Sequence, residues 1–188
     1  MSVASNVGIA NLALIALGAN QIISFTENAE EARKINGVFT SIRDEMLRGH
    51  PWNFTIARVA LAAGATPVFG FSNSHVIPGD CLKVLGTNLP SDTEYKIEQG
   101  KVISDQSAVS IKYIKRITDP TKYTSDFITA FAAEIAAVLA YSFTSSRTFA
   151  EEARKIADDK IATAKGTDAQ AGLPDELESD EFIDVRRE

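Results

Sequence analysis

One proline-aromatic block constrains this chain more than any other feature. His50-Pro51-Trp52-Asn53-Phe54 follows a stretch that reads as helix through Leu47. Proline disfavours the α conformation at the residue before it, so that helix must end by His50. Trp52 and Phe54 lie two apart, which sets both rings on one face of an extended chain. Further on, the turn Pro78-Gly79-Asp80 runs into the apolar stretch Cys81-Leu82-Lys83-Val84-Leu85. Together the two blocks predict a β segment inserted after a pair of helices.

The flanking segments have the helical period. Residues 5–17 are apolar on most sides, with Ser5 or Asn6 able to cap the start and Gly18 the end. A helix apolar all round belongs in a core or between subunits. Residues 29–48 are amphipathic: Ile35, Val38, Phe39, Ile42 and Met46 share one face. Asn28 with Glu31 resembles a capping pair there. The short link between these helices predicts an antiparallel pair.

From residue 52 to 117 that period is lost. Tyr95-Lys96-Ile97-Glu98, Gln99-Gly100 and Lys101-Val102-Ile103 read as a hairpin whose glycine supplies a positive φ. Val109, Ile111, Tyr113 and Ile117 alternate with polar residues as in a half-buried strand. Phe69-Gly70-Phe71 reads as a mobile loop with aromatic anchors. Asp119-Pro120 marks the return to helix. Ser125 is the expected cap of a helix at 126–142, with Phe127, Phe131, Ile135, Val138 and Leu139 inward. The capping box Thr148-x-x-Glu151 predicts a last helix at 149–165, with Ile156 among its inward residues. The fold class expected is α+β: an antiparallel four-helix bundle with an inserted antiparallel β region and an extended C-terminal arm. Residues 1–50 and 119–165 form its helical body, 51–118 the β insert and 166–188 the acidic arm.

Charge is uneven along the chain. Residues 166–188 hold eight acids and two arginines, which accounts for the whole net charge of −6. The remainder is balanced, without the basic stripe that grips nucleic acid by counterion release. DNA meeting this protein is expected to pass without docking. No apolar run is read as the ~20 residues of a membrane helix. Cys81 is the single cysteine, so no intrachain disulfide forms, consistent with a reducing compartment.

A search for chemistry returns little. The histidines are His50, at a helix end, and His75, in a loop. A Cys81–His75 thiol dyad is the least implausible catalytic pair, but nothing in the sequence orients it. Histidines and cysteine lack zinc spacing, and no glycine-rich phosphate loop is present. No cofactor, metal site or enzymatic activity is expected. The remaining features suit assembly. Phe182-Ile183-Asp184-Val185-Arg186-Arg187 sets three apolar residues among charges, as in an arm that orders on finding a groove. Trp52, Phe69 and Phe71 fit either core packing or a contact with another subunit.

The helical hairpin, the His50–Phe54 block, the following Ala57-Arg58-Val59-Ala60-Leu61-Ala62, and the Pro78–Leu85 block resemble the tail tubular protein A family. These proteins are head-to-tail adaptors of short-tailed bacteriophages. The resemblance runs from Ile9 to the C-terminus. It implies a ring of twelve copies between portal protein and tail nozzle, a tail tubular protein B-like partner, forming part of the DNA-ejection channel. It further implies a virion location after assembly in the bacterial cytoplasm. By the same analogy the C-terminal arm climbs onto the portal, with residues 182–187 as its candidate binding segment, and the β insert points toward the nozzle, where Trp52, Phe69 and Phe71 are the candidate nozzle or subunit contacts. The alternatives are a thiol hydrolase using Cys81 and His75, or a non-viral helical interaction module.

Overall fold

The computed structural model describes residues 5–171. Ser5 accepts a hydrogen bond from Gly8 N at 2.9 Å and starts helix α1, Asn6–Ala16. A loop leads to α2, Glu30–Gly49, which stops before Pro51 as proline requires. Its apolar stripe, Ala32, Ile35, Phe39, Ile42 and Leu47, is buried. Asn28 does not cap this helix. Its side-chain oxygen instead accepts from Arg33, and Ala29 occupies the cap position with no side-chain bond.

Seven strands follow among the described residues: β1 (Ile56–Ala60), β2 (Ala62–Ala63), β3 (Asn73–Val76), β4 (Cys81–Thr87), β5 (Tyr95–Glu98), β6 (Lys101–Ser104) and β7 (Ser110–Lys115). They form two antiparallel sheets, β1-β7-β4 and β2-β3-β6-β5. The expected hairpin is β5–β6, and Gln99 and Gly100 both take positive φ, 49° and 71°, at its turn. The chain changes sheet at Leu61, the one residue between β1 and β2, whose N–H donates to Val109 at 2.8 Å. Val102, Val109, Ile111 and Tyr113 fill a small core shared by the two sheets.

Thr124, not Ser125, caps α3 (Ser125–Thr144), accepting from Phe127 N. Ser146, not Thr148, accepts from Phe149 N at the start of α4, Arg147–Ala171. This helix runs six residues past its expected end at 165. Ala157, Ala164 and Asp168 are its buried residues, and Ile161 packs beside them.

The helices do not make a four-helix bundle. The structure is α+β, with four helices and two antiparallel sheets of three and four strands. α3 is a hub that packs against α4, α1 and α2, while α1 and α2 hardly meet. The reason lies between them. Asn11 clamps Ile22 through both backbone groups, accepting from its N–H at 2.8 Å and donating to its carbonyl at 2.9 Å. Ile22 is thereby driven into the core, and the link becomes a packed strap that keeps α1 and α2 apart.

Buried alanines on α3, Ala130, Ala132, Ala136 and Ala140, allow close approach of its neighbours. At 20 residues α3 is long and apolar enough to cross a membrane by length and composition, contrary to the sequence reading. Here Phe127, Phe131, Ile135 and Leu139 lie in the core. Val138 is left half-exposed, as is Ile156 on α4, although both are predicted to face inward. α3 carries more apolar surface than its neighbours cover.

Tyr123 stands where the chain re-enters the helices. Its hydroxyl donates to the Ile117 carbonyl at 2.7 Å. Burial pushes the phenol up to about 12, with Arg43 opposing and Asp44 and Asp119 adding to the rise. The raised value means the phenol's contribution to stability is complete below pH 10.0 and is lost as pH climbs toward about 12. Tyr123→Phe has no such proton to lose. Circular dichroism followed against pH should therefore show a shallower alkaline loss in the variant, and equal alkaline midpoints would exclude this role.

Candidate functional site

The two groups of the candidate thiol dyad have separate roles. His75 lies on β3 and is 1% exposed. Its Nε2–H donates to the Gln106 carbonyl at 3.0 Å, which leaves Nδ1 as the bare nitrogen, buried and without a hydrogen-bond partner. No hydrogen bond therefore reaches Cys81 from this ring. Burial pushes the Cys81 thiol up, the hydrogen bond from the Lys83 backbone opposes it, and the charge of Asp80 adds a smaller rise. A thiol so placed is a poor nucleophile at neutral pH. Among the described residues no group of three or more His, Cys, Asp or Glu side chains is placed to hold a metal ion.

His50 belongs to a clasp that sequence reasoning did not find. Asp168, on the last turns of α4, is 9% exposed. One of its carboxylate oxygens lies 3.1 Å from His50 Nε2, and the other accepts from Asn53 N at 3.1 Å. Asn53 Nδ2 returns a bond to the Asp168 carbonyl at 2.6 Å. An acid near a helix C-terminus faces the negative end of the helix dipole. Here the imidazole and the backbone donor of the Asn53–Thr55 turn offset that disadvantage, and the asparagine amide satisfies one of the carbonyls a helix end leaves open. The clasp joins three places at once: the end of α2, the entry to the sheets and the end of α4.

Trp52 is core. It is 1% exposed, and its Nε1–H donates to the Met46 carbonyl at 3.0 Å. Its ring meets His50, Phe54 and Phe127 edge-on or stacked, at 4.6–6.2 Å between centroids. This side chain is packed inside the protein.

The Phe69 loop is the opposite case. Phe69 is 88% exposed and its neighbour Val68, which sequence reasoning passed over, is 99% exposed. Phe71 is half-buried and lies under Lys96, whose ammonium is 6.0 Å from the ring centroid. The loop has a fixed base: Ser74 Oγ donates to the Ala65 carbonyl at 2.6 Å, and Gly64 N donates to the Ser74 carbonyl at 2.8 Å. A Cβ on Gly64 would meet that hydroxyl at 2.6 Å, so a larger residue there would have to displace the Ser74 side chain. The result is a finger with an apolar tip, arched over the second sheet around a cavity of about 500 Å³.

Residues 182–187, Phe182, Ile183, Asp184, Val185, Arg186 and Arg187, lie outside the described residues. On the helices, Tyr141 joins Val138 and Ile156 as exposed apolar positions. Glu134 on α3 and Arg154 on α4 form a charge-assisted pair, which Asp158 extends at 3.0 Å. No family model matches the chain, and no curated protein matches it.

The clasp and the finger separate in a simple experiment. Asp168→Ala leaves His50 and the Asn53 N–H without their partner, and should cost about 1–3 kcal/mol in urea unfolding. Val68→Ser with Phe69→Ser removes no buried contact and should leave the urea midpoint within about 0.5 kcal/mol of the parent. A stability loss on the finger as large as that on the clasp would contradict this division.

Proposed function

We propose that the protein is a head-to-tail adaptor of a short-tailed bacteriophage, resembling the tail tubular protein A family. It forms a ring of about twelve copies between portal and tail nozzle, and works by docking, without breaking bonds. The observation that carries this reading is the exposed finger, Val68 and Phe69, set on a fixed base at the far side of the sheets from the helices. The first sheet stands between, since Leu82 on β4 packs against the helical core while Ile111 and Tyr113 share the second core with Val102 of β6. One end of the molecule thus offers an apolar tip. The chain leaves α4 at the joint of helices and sheets, where His50 and Asn53 hold Asp168.

In this reading the finger meets the nozzle, the C-terminal arm meets the portal, and the half-exposed Val138, Tyr141 and Ile156 lie toward neighbouring copies. Heterologous contacts of this kind close into a ring without a two-fold patch. Contacts weak in one copy become durable when a ring engages many together. The balanced charge of residues 1–165 suits a channel wall, because tight phosphate binding would slow DNA passage. The lack of a Cys81–His75 hydrogen bond favours docking over thiol hydrolysis.

The test is electron microscopy of the protein mixed with portal rings encoded by the same genome. Rings of density below the portal are expected. Deleting residues 174–188 should leave a folded protein that no longer joins the portal. Val68→Ser with Phe69→Ser should still join it but fail to recruit the nozzle. Portal rings that stay bare with the full-length protein would defeat the proposal.

A further inference from the structure

A second groove lies between the last turns of α2 and β4, with a volume of about 630 Å³. Its charged walls are Asp44, Glu45, Arg48, Lys83 and Arg116, with Leu82 as an apolar patch. The charges are not equally available. Asp44 is already taken by Arg43 and by Arg116, each at 2.8 Å. Arg48 and Lys83 are exposed, and among the described residues neither has an ion-pair partner. The groove therefore presents two uncommitted cations against one uncommitted acid, Glu45.

The clasp fixes what lies beside it. Gly49, next to His50, is part of the groove wall. His50 and Asn53 hold Asp168, and α4 ends three residues later at Ala171. Three residues of helix advance the chain about 4.5 Å. The residues that follow carry Asp175, Glu176, Glu178, Asp180 and Glu181 with no base between them, and Leu177 is the apolar residue among these acids. Ten residues of extended chain from position 172 reach up to about 33 Å, so the acids at 175–181 come within range of Arg48 and Lys83.

We propose that this groove is the resting seat of the chain's own residues 175–181. Arg48 and Lys83 pair with the acidic run, and Leu177 lies toward Leu82. Exposed pairs of this kind are weak and are screened by salt. The seat accordingly holds the segment without locking it, and a partner offering more contacts displaces it. The inference goes beyond the adaptor reading and does not depend on it. If both hold, the portal competes with the groove for the arm.

Hydrogen exchange of the full chain, read by mass spectrometry on peptides covering 175–181, tests the seat without any portal. At low ionic strength these amides should exchange several-fold more slowly than in the variant Arg48→Glu with Lys83→Glu. High salt should abolish the difference. A second variant, Asp175→Asn with Glu176→Gln and Glu178→Gln, keeps the groove intact and should lose protection equally. Identical exchange in parent and both variants would overturn the proposal. So would protection that rises with protein concentration, because that assigns the segment to a second copy.

Discussion

The rings around Phe127 connect the helices to the sheets. Phe127 meets Tyr123 at 4.9 Å, Trp52 at 5.0 Å, Phe54 at 5.2 Å and Phe131 at 5.9 Å between centroids. Phe131 passes the contact to Phe39 on α2, and Phe39 passes it to Phe25 in the strap. Trp52 and Phe54 lie where the chain leaves the helices, and Tyr123 where it returns. Both crossings are therefore tied to the same ring. Edge-to-face geometry adds to simple burial here, since tilted aromatic pairs place positive edges on negative faces. With both crossings fixed, the sheets have little freedom to swing against the helices. The ion pairs from Asp44 to Arg43 and to Arg116 reinforce the same joint from its wetter side.

Local chemistry is legible in the sequence where proline and glycine set it, while the capping residues fall one or two positions from those expected at Asn28, Ser125 and Thr148. The β5–β6 hairpin follows from Gln99-Gly100 and the alternation around it, and α2 ends where Pro51 demands. The amphipathic face of α2 is plain in its spacing. The larger departures come where distant residues decide. Nothing near Asn11 indicates that it clamps Ile22, and without that clamp the loop after α1 looks like a simple link between antiparallel helices. The change of sheet at a single residue, Leu61, leaves no trace in hydrophobic pattern. α3 as a hub is obscured by the same apolar abundance that makes every face look inward, so the spacing places Val138 in the core.

The candidate surfaces divide in the same way. Phe69 and Phe71 were singled out from sequence, but Val68 was not, because one valine before a phenylalanine is an ordinary core signal. Trp52 was ambiguous by type, and only packing places it inside. In the sequence Asp168 is one of the eight acids of the 166–188 arm. A signal was present, since Ala157, Ile161, Ala164 and position 168 continue the helical spacing past Lys165. An acid at the last of those positions breaks the pattern unless its partners are known, and they lie over a hundred residues earlier at His50 and Asn53.

The hub position of α3 carries a cost during synthesis. Its principal cover, α4, is the last of the described helices in chain order. Until that helix has formed, a 20-residue segment of membrane-like composition has α1, α2 and the rings of Trp52, Phe54 and Tyr123 to shelter it, and lacks its largest neighbour. A nascent chain halted near Ser145 would present this greasy surface to chaperones, to lipid or to other unfinished copies. Burial of α3 thus waits on translation of residues 147–171, and a chain that stops before them keeps its apolar face open.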